Sequence, residues 1–248
     1  MLFQKQKRIV GHKIIQPFQF KKFIVHQDKC SMKVGTDGVL LGAWADVKNC
    51  NSILDIGTGS GLIALMIAQR NFNLNIVAID IDKDSSLQAA ENFASSPWKT
   101  RLISIHTSLQ NYHCLSKIDL IVSNPPFFEK SLKSEKIQKN LARHNDGLTF
   151  EDIAMFAKNN LSEFGKLAVI YPASIENECN AVAKTAGLFL ARKCNVKPLP
   201  DKSPKRVLLE YVLFKCETIT TELVIEMGQR HEYSSAYKEL TKEFYLGF

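Results

Sequence analysis

From residue 52 to residue 214, short apolar runs alternate with longer segments in which apolar positions recur every three or four residues. Short runs bounded by turn formers read as strands, and the three-to-four spacing reads as helices with one apolar face. The pattern predicts strands at 52–55, 75–80, 101–106 and 118–123, with helices at 62–70 and 85–94 among them. A polar, lysine-rich stretch follows to about residue 148 and reads as a mobile loop. The alternation resumes with a helix at 149–161, for which Thr149 is a suitable N-cap, a strand at 166–172 and a helix at 174–186 closed by Gly187. Two last strands, 191–196 and 207–214, flank a loop rich in Pro and Lys. Strands and helices alternating at this spacing place parallel strands side by side under helices on both faces. The expected fold class is therefore α/β: a seven-stranded, mostly parallel, doubly wound sheet with one antiparallel strand.

Ahead of this region Phe18, Phe20, Phe23 and Val25 interleave with Gln19, Lys21, Lys22 and Ile24. That alternation predicts a short strand or hairpin, so residues 1–50 are expected as a basic N-terminal arm on a main domain spanning 51–248.

Composition narrows the class without changing the fold. The chain has 248 residues, 45% hydrophobic and 23% charged, enough apolar material for a core that needs no staple. No apolar run approaches the ~20 residues of a membrane span, and the basic start has no apolar stretch behind it, so neither a membrane protein nor a secreted one is expected. A cytoplasmic, monomeric protein is. The six cysteines stand singly, without a paired spacing, which argues against a metal site or a disulfide framework. Lys and Arg number 32 against 25 acids, a net +7, and the excess gathers in 1–33 and 192–206. A polyanion is the natural partner.

The first candidate site is Asp55-Ile56-Gly57-Thr58-Gly59-Ser60-Gly61, at a strand end and opening a helix. Glycines let a backbone approach a ligand closely, and a helix N-terminus offers unpaired N–H groups. The next strand ends in Asp80, where a carboxylate can accept both hydroxyls of a ribose. This points to a nucleoside cofactor. Dinucleotide sites space their glycines G-x-G-x-x-G, whereas here the spacing is G-x-G-x-G with an acid two places ahead. S-adenosylmethionine fits better, with Asp55 under the methionine ammonium, Gly57 and Gly59 along the sulfonium and ribose, and Asp80 on the diol. Thr58, Gly61 and Ile81, from the same two turns, complete this part of the expected cofactor set.

The second candidate is Asn124-Pro125-Pro126-Phe127, at the end of the fourth predicted strand. An exocyclic or amide –NH2 has a delocalised lone pair, so its attack on a methyl sulfonium improves if two acceptors draw its protons and bend it toward tetrahedral. The Asn124 side-chain carbonyl, which also places Asn124 beside the cofactor, and the Pro125 backbone carbonyl supply such acceptors. Pro126 stiffens the turn, and Phe127 offers a face on which a planar group stacks. Such chemistry needs no strong base, because a neutral thioether leaves and the amine proton goes to water. His106, His113 and His144 are accordingly given no catalytic role.

With its glycine motif and the acid ending the second strand, the sequence resembles the class I methyltransferases, which implies a Rossmann-like methyltransferase fold. Lys33-Val34-Gly35-Thr36-Asp37-Gly38-Val39-Leu40-Leu41-Gly42-Ala43-Trp44, the Asn-Pro-Pro-Phe motif, Ser96-Pro97-Trp98, Tyr233-Ser234 and Phe244-Tyr245-Leu246 extend the resemblance along nearly the whole chain. Together they are similar to one family, the bacterial tRNA1(Val) adenine-N6 methyltransferases, which modify the adenosine beside the anticodon. The resemblance implies that the segment from Lys33 closes over the cofactor, with Thr36 and Asp37 at its methionine end. It also implies a tRNA substrate, and because the basic arm and the lysine-rich loop after Phe127 are both expected to open at the cofactor's edge, Lys21, Lys22, Lys133, Lys136 and Arg143 are the expected contacts to its phosphates. An acid expected after the third strand for the cofactor's adenine amine is absent; Ser108, in Thr107-Ser108-Leu109-Gln110, is expected to accept that bond instead. Two other readings stay open: a protein-glutamine N5-methyltransferase, which shares the Asn-Pro-Pro-aromatic motif, and a non-catalytic RNA-binding module with a vestigial cofactor pocket.

Overall fold

Residues 16–126 and 147–248 are described by a computed structural model of the chain. They begin with a two-stranded antiparallel hairpin, β1 (Phe18–Gln19) and β2 (Ile24–Val25), followed by helix α1 (Thr36–Trp44). Next come β3 (Ser52–Ile56), α2 (Leu62–Arg70), β4 (Asn75–Asp80), α3 (Lys83–Ala94), β5 (Leu102–His106) and β6 (Ile118–Ser123). The later half supplies α4 (Phe150–Asn160), β7 (Leu161–Pro172), α5 (Glu176–Thr185), β8 (Phe189–Lys197), β9 (Arg206–Val212), β10 (Ile219–Val224) and α6 (Ser235–Thr241). The expected mobile loop after Phe127 lies outside the described residues.

The sheet runs in the order β10-β8-β9-β7-β6-β3-β4-β5, and β9 alone opposes its two neighbours. It has eight strands where seven are expected. The additional strand, β10, pairs parallel with β8 at the edge. Its sequence Ile-Thr-Thr-Glu-Leu-Val buries only Leu223, so it lacks the apolar run that marks the interior strands. The other differences lie at boundaries. Leu161, expected to close the helix, and residues 162–165, expected in neither element, belong to β7, past a register shift opposite Ile118 and Leu120.

Helices cover both faces. One apolar cluster packs α1, α2, α3 and the N-terminal hairpin against the sheet, and a second packs α4 and α5 on the opposite side. Thr149 caps α4 in a reciprocal capping box with Asp152, and Gly187 leaves α5 at φ +81, as the turn chemistry predicts. Among the described residues no helix is long and apolar enough to cross a membrane.

The segment expected to close over the cofactor is instead mostly a buried helix. Gly38 and Gly42, one turn apart in α1, let its backbone approach α2, since a Cβ there would stand 3.0 Å from a Leu62 methyl and 2.8 Å from the Met66 sulfur. Arg70 of α2 then donates to the carbonyls of Gly42 and Ala45, closing the C-terminus of α1.

The described part of the N-terminal arm also belongs to the core. Phe20, Phe23 and Val25 are buried in the first cluster, with the Phe23 ring edge-on to Trp98. From the hairpin the chain runs antiparallel along α3: His26 bonds Asn92, and the Lys29 amide donates to Gln88. α3 starts at the edge where the parallel strands end and finishes at the edge where they begin. The hairpin therefore sits at the amino edge, beside Ser95 and Pro97, and of this segment Ser31 and Met32 reach the cleft at the carboxyl edge.

Candidate active site

At the carboxyl edge a cleft of about 330 Å³ opens over the ends of β3, β4 and β6. β3 is buried on both sides between β4 and β6, so Asp55, near its end, has no access to water. The Thr58 hydroxyl donates to Asp55 Oδ2 at 2.6 Å, while Asp55 Oδ1 is buried without a partner among the described residues. Burial pushes the Asp55 carboxyl up to about 7; the Thr58 bond opposes the shift and the nearby Asp80 charge adds to it.

The turn after β3 bends over the end of β4. Gly57 and Thr58 both donate their backbone N–H to the carbonyl of Ile79, at 2.9 and 3.1 Å, and the Gly59 N–H donates to Asp80 Oδ2 at 2.8 Å. Gly61 donates to the Thr58 carbonyl. These four donors hold the turn in its place on the sheet. What the turn offers a ligand is space: Gly57 and Gly59 have φ of +70 and +57, and a Cβ on either would meet nothing within 4 Å. Gly61 differs, since its Cβ would stand 2.5 Å from the Phe93 ring; it serves helix packing.

Asp80 receives a second bond from the Asp82 N–H at 2.9 Å, which aims its carboxylate along the cleft wall. Burial raises its pKa, opposed by these two N–H bonds. Ile81 beside it is an exposed apolar side chain lining the same wall.

β6 delivers the second motif. Ser123 donates its hydroxyl to the Ile56 carbonyl at 2.8 Å, joining the ends of β6 and β3, so Asn124 emerges directly beside the glycine turn. Asn124 Oδ1 is buried and has no hydrogen-bond partner among the described residues. Asn124 and Pro126 line the cleft, and Pro125 is buried behind them. Two orphaned acceptors, from Asp55 and Asn124, thus lie at one strand-end crossing. Buried acceptors without donors carry a desolvation cost that a ligand's N–H groups can relieve.

The expected residues sort into three groups. Gly57, Gly59, Asp80, Ile81, Ser108, Asn124 and Pro126 line one cleft, with Asp55 and Thr58 packed beneath it. Lys33, Thr36 and Asp37 do not line it: the Lys33 ammonium bonds the carbonyls of Gln27 and Cys30, Thr36 begins α1, and Asp37 pairs with Arg206 at 2.8 Å. Lys21 donates to the carbonyls of Lys242 and Phe248, holding the C-terminal segment, and Lys22 stands at the amino edge. Both therefore lie across the molecule from Asn124, against the expectation that the arm delivers them to the cofactor's edge. Phe127, Lys133, Lys136 and Arg143 fall outside the described residues. Among the described residues no group of three or more His, Cys, Asp or Glu could hold a metal.

The methyltransferase small domain model matches residues 34–178, which contain the glycine turn, Asp80 and Asn124. The tRNA1(Val) (adenine(37)-N6)-methyltransferase of Bacteroides thetaiotaomicron is 46% identical over 230 residues, covering 92% of this chain and 97% of that one. The proteins of that name from Trichodesmium erythraeum and Flavobacterium johnsoniae are 47% and 48% identical, over 93% and 92% of this chain and 98% and 99% of their own. The chain belongs to the tRNA1(Val) (adenine(37)-N6)-methyltransferase family. Among solved structures, a predicted O-methyltransferase from Agrobacterium tumefaciens superposes with a TM-score of 0.63 at 17% identity, covering 84% of this chain and 96% of that one, a likeness of fold.

In this member of the tRNA1(Val) (adenine(37)-N6)-methyltransferase family the cleft also takes in residues that the motifs do not reveal. Ser31 and Met32 close one side from the N-terminal segment, and Gln110 stands with Ser108 at the end of β5. Neither the Ser108 hydroxyl nor the Gln110 amide has a hydrogen-bond partner among the described residues. Ser31 and Met32 carry no sequence signal, because they arrive only by running along α3. Gln110 is legible as a neutral amide two residues beyond Ser108, able to accept from an amine and donate to a ring nitrogen together.

Proposed function

We propose that the protein transfers a methyl group from S-adenosylmethionine to N6 of adenosine 37 in tRNA1(Val). The observation that carries this reading is Asn124 Oδ1, a buried acceptor without a donor, emerging between the glycine turn and the fourth parallel strand's end. The residues present fit the cofactor: open space beside Gly57 and Gly59, an orphaned carboxylate oxygen on Asp55, and an aimed carboxylate at Asp80. When bound, that cofactor supplies an electrophilic methyl group on a sulfonium.

The chain's own part is placement. Asp80 takes the ribose hydroxyls, and the buried Asp55 compensates the methionine ammonium. The target adenosine must leave the anticodon-loop stack to bring its amine to Asn124. Its amine is a poor nucleophile because the lone pair is shared with the ring. Asn124 Oδ1 and the Pro125 carbonyl accept its two N–H groups and turn the lone pair toward the methyl, and Phe127 is the stacking face of this reading. No base is needed before transfer, since the nitrogen loses its extra proton to water afterwards. Alignment of the reacting atoms does the catalytic work.

The test is incubation of the protein with labelled S-adenosylmethionine and total tRNA from cells lacking the enzyme, followed by nucleoside mass spectrometry. N6-methyladenosine at position 37 of tRNA1(Val) is expected. Label appearing in protein glutamine, or in no macromolecule, overturns the reading.

A further inference from the structure

Six cations lie between residues 192 and 206, and the structure separates them. Four face acids from other elements: Arg192 pairs with the buried Glu210 and lies over the Trp44 ring, Lys193 pairs with Glu176, Lys197 with Glu222, and Arg206 with Asp37. Two remain facing water. Lys205 is exposed and makes no ion pair among the described residues. Lys202 meets only its neighbour Asp201, in a pair whose side chains are 56% and 71% exposed, a geometry that adds little and that screening weakens further.

Topology then places these two lysines. β8 ends and β9 begins at the carboxyl edge, because Arg206 is the register partner of Pro172 at the end of β7. β7 is the direct neighbour of β6, from which Asn124 emerges. β9 and β8 are the second and third strands from β6, which sets the loop roughly 10–14 Å to the side of Asn124. Ser123 pairs with Val169, and Pro172 lies three residues further along, so the loop stands about 10 Å above the cleft floor as a rim. The rim is preorganised: Pro198, Pro200 and Pro204 restrict it, the Lys202 N–H closes a turn on the Leu199 carbonyl, and Lys205 is tied through its backbone to Val196 and Ala173.

We propose that the rim 199–205 is a phosphate-binding surface on which Lys202 and Lys205 hold the RNA backbone beside the adenosine presented to Asn124. The inference rests on the tRNA reading above and assigns to this rim the electrostatic contact that Lys21 and Lys22, at the opposite edge, do not supply at the site. A rigid loop carrying one unpaired ammonium group, Lys205, and one held only by an exposed neighbouring carboxylate, Lys202, loses little conformational freedom on meeting phosphates.

The test uses the full-length protein and the tRNA substrate. Binding is measured as a function of salt for the wild type, for Lys202→Gln/Lys205→Gln, and for Lys48→Gln/Lys99→Gln, which removes the same charge from the amino edge. Each phosphate contact contributes about 0.7–0.9 to the log–log slope, so the rim pair should flatten it by roughly 1.5 units while the amino-edge pair leaves it unchanged. Cofactor affinity, read by calorimetry, should be equal in all three and reports that each is folded. Equal flattening in both pairs, or none in the rim pair, overturns the proposal. Methyl transfer to tRNA by the wild type separates the two ideas: if it occurs and the rim pair behaves as wild type, only the rim assignment falls, whereas its absence removes the tRNA reading and the rim with it.

Discussion

Asp55 is a carboxyl group in the wrong solvent, fully buried with one oxygen unpartnered and a pKa pushed up to about 7. In the free protein it is protonated below that value, so a cofactor that sets its methionine ammonium against Asp55 should bind more tightly as the pH rises from 6 to 8. Calorimetry across that range should show cofactor affinity climbing in the wild type and flat in Asp55→Asn. The same shift acts on folding with the opposite sign. The folded chain holds this proton more strongly than the unfolded chain, whose carboxyl titrates near 3.8, so stability from this group is present at acid pH and lost as the pH rises through 7. The slope reaches at most about 1.4 kcal/mol per pH unit, and Asp55→Asn should remove it from a pH series of denaturant unfolding. Asn124 works on the substrate. Asn124→Ala should lower kcat by a factor of about 10²–10³, the scale for removing one preorganised polar contact, with cofactor affinity near wild type. Parallel loss of both would move Asn124 into the cofactor's own contacts.

The turn between β3 and α2 shows how three glycines in one motif take different duties. At Gly61 an added methyl would strike the Phe93 ring at 2.5 Å with φ at +82, so Gly61→Ala should cost about 2–4 kcal/mol in urea unfolding. At Gly59 it would meet open space with φ at +57, so Gly59→Ala should cost only about 1 kcal/mol of stability and weaken cofactor binding instead. Equal loss of stability in the two variants would show that the turn is packed throughout and cradles nothing. α1 teaches a related lesson. Its Gly38 and Gly42 occur within the run that the family resemblance assigns to a cofactor cover, yet their missing side chains admit Leu62 and Met66 of α2.

At the scale of the whole molecule, Asn92 joins three parts. Its amide donates to the carbonyls of His26 and Ser60 at 2.8 Å and its oxygen accepts from the His26 N–H, so the N-terminal segment, α3 and the glycine turn meet on one side chain that is 1% exposed. Asn92→Ala should lose about 3 kcal/mol, roughly one for each bond, and should weaken cofactor binding although Asn92 lies outside the cleft. A variant with lowered Tm and unchanged cofactor affinity would show that the turn keeps its shape without this tie. The C-terminal segment is held in the same manner, through Lys21 and through Gln69, which donates to the Glu243 carbonyl.

The alternation of apolar runs and helical spacing was enough to place β3 to β9 and four of the helices, because interior strands and half-buried helices must write their burial into the chain, and because β5, an edge strand with one buried side chain, is nonetheless apolar at Leu102, Ile103 and Ile105. The two chemical motifs were equally plain, since a glycine turn and an Asn-Pro-Pro exit need those residue types wherever they occur. β10 escaped because an edge strand with one buried side chain need not be apolar. Charge misled for a different reason: a sequence counts cations, and only packing shows which face acids and at which edge of the sheet they stand. Lys21 holds the C-terminal segment and Asp37 pairs with Arg206, whereas Lys202 and Lys205 face water on the rim. The local pattern thus determined the elements and the motifs. Which charges stand beside Asn124 was decided by α3 carrying the N-terminal segment from the amino edge to the cleft and by β9 reversing direction to raise its loop at the carboxyl edge, pairings between residues far apart in the chain.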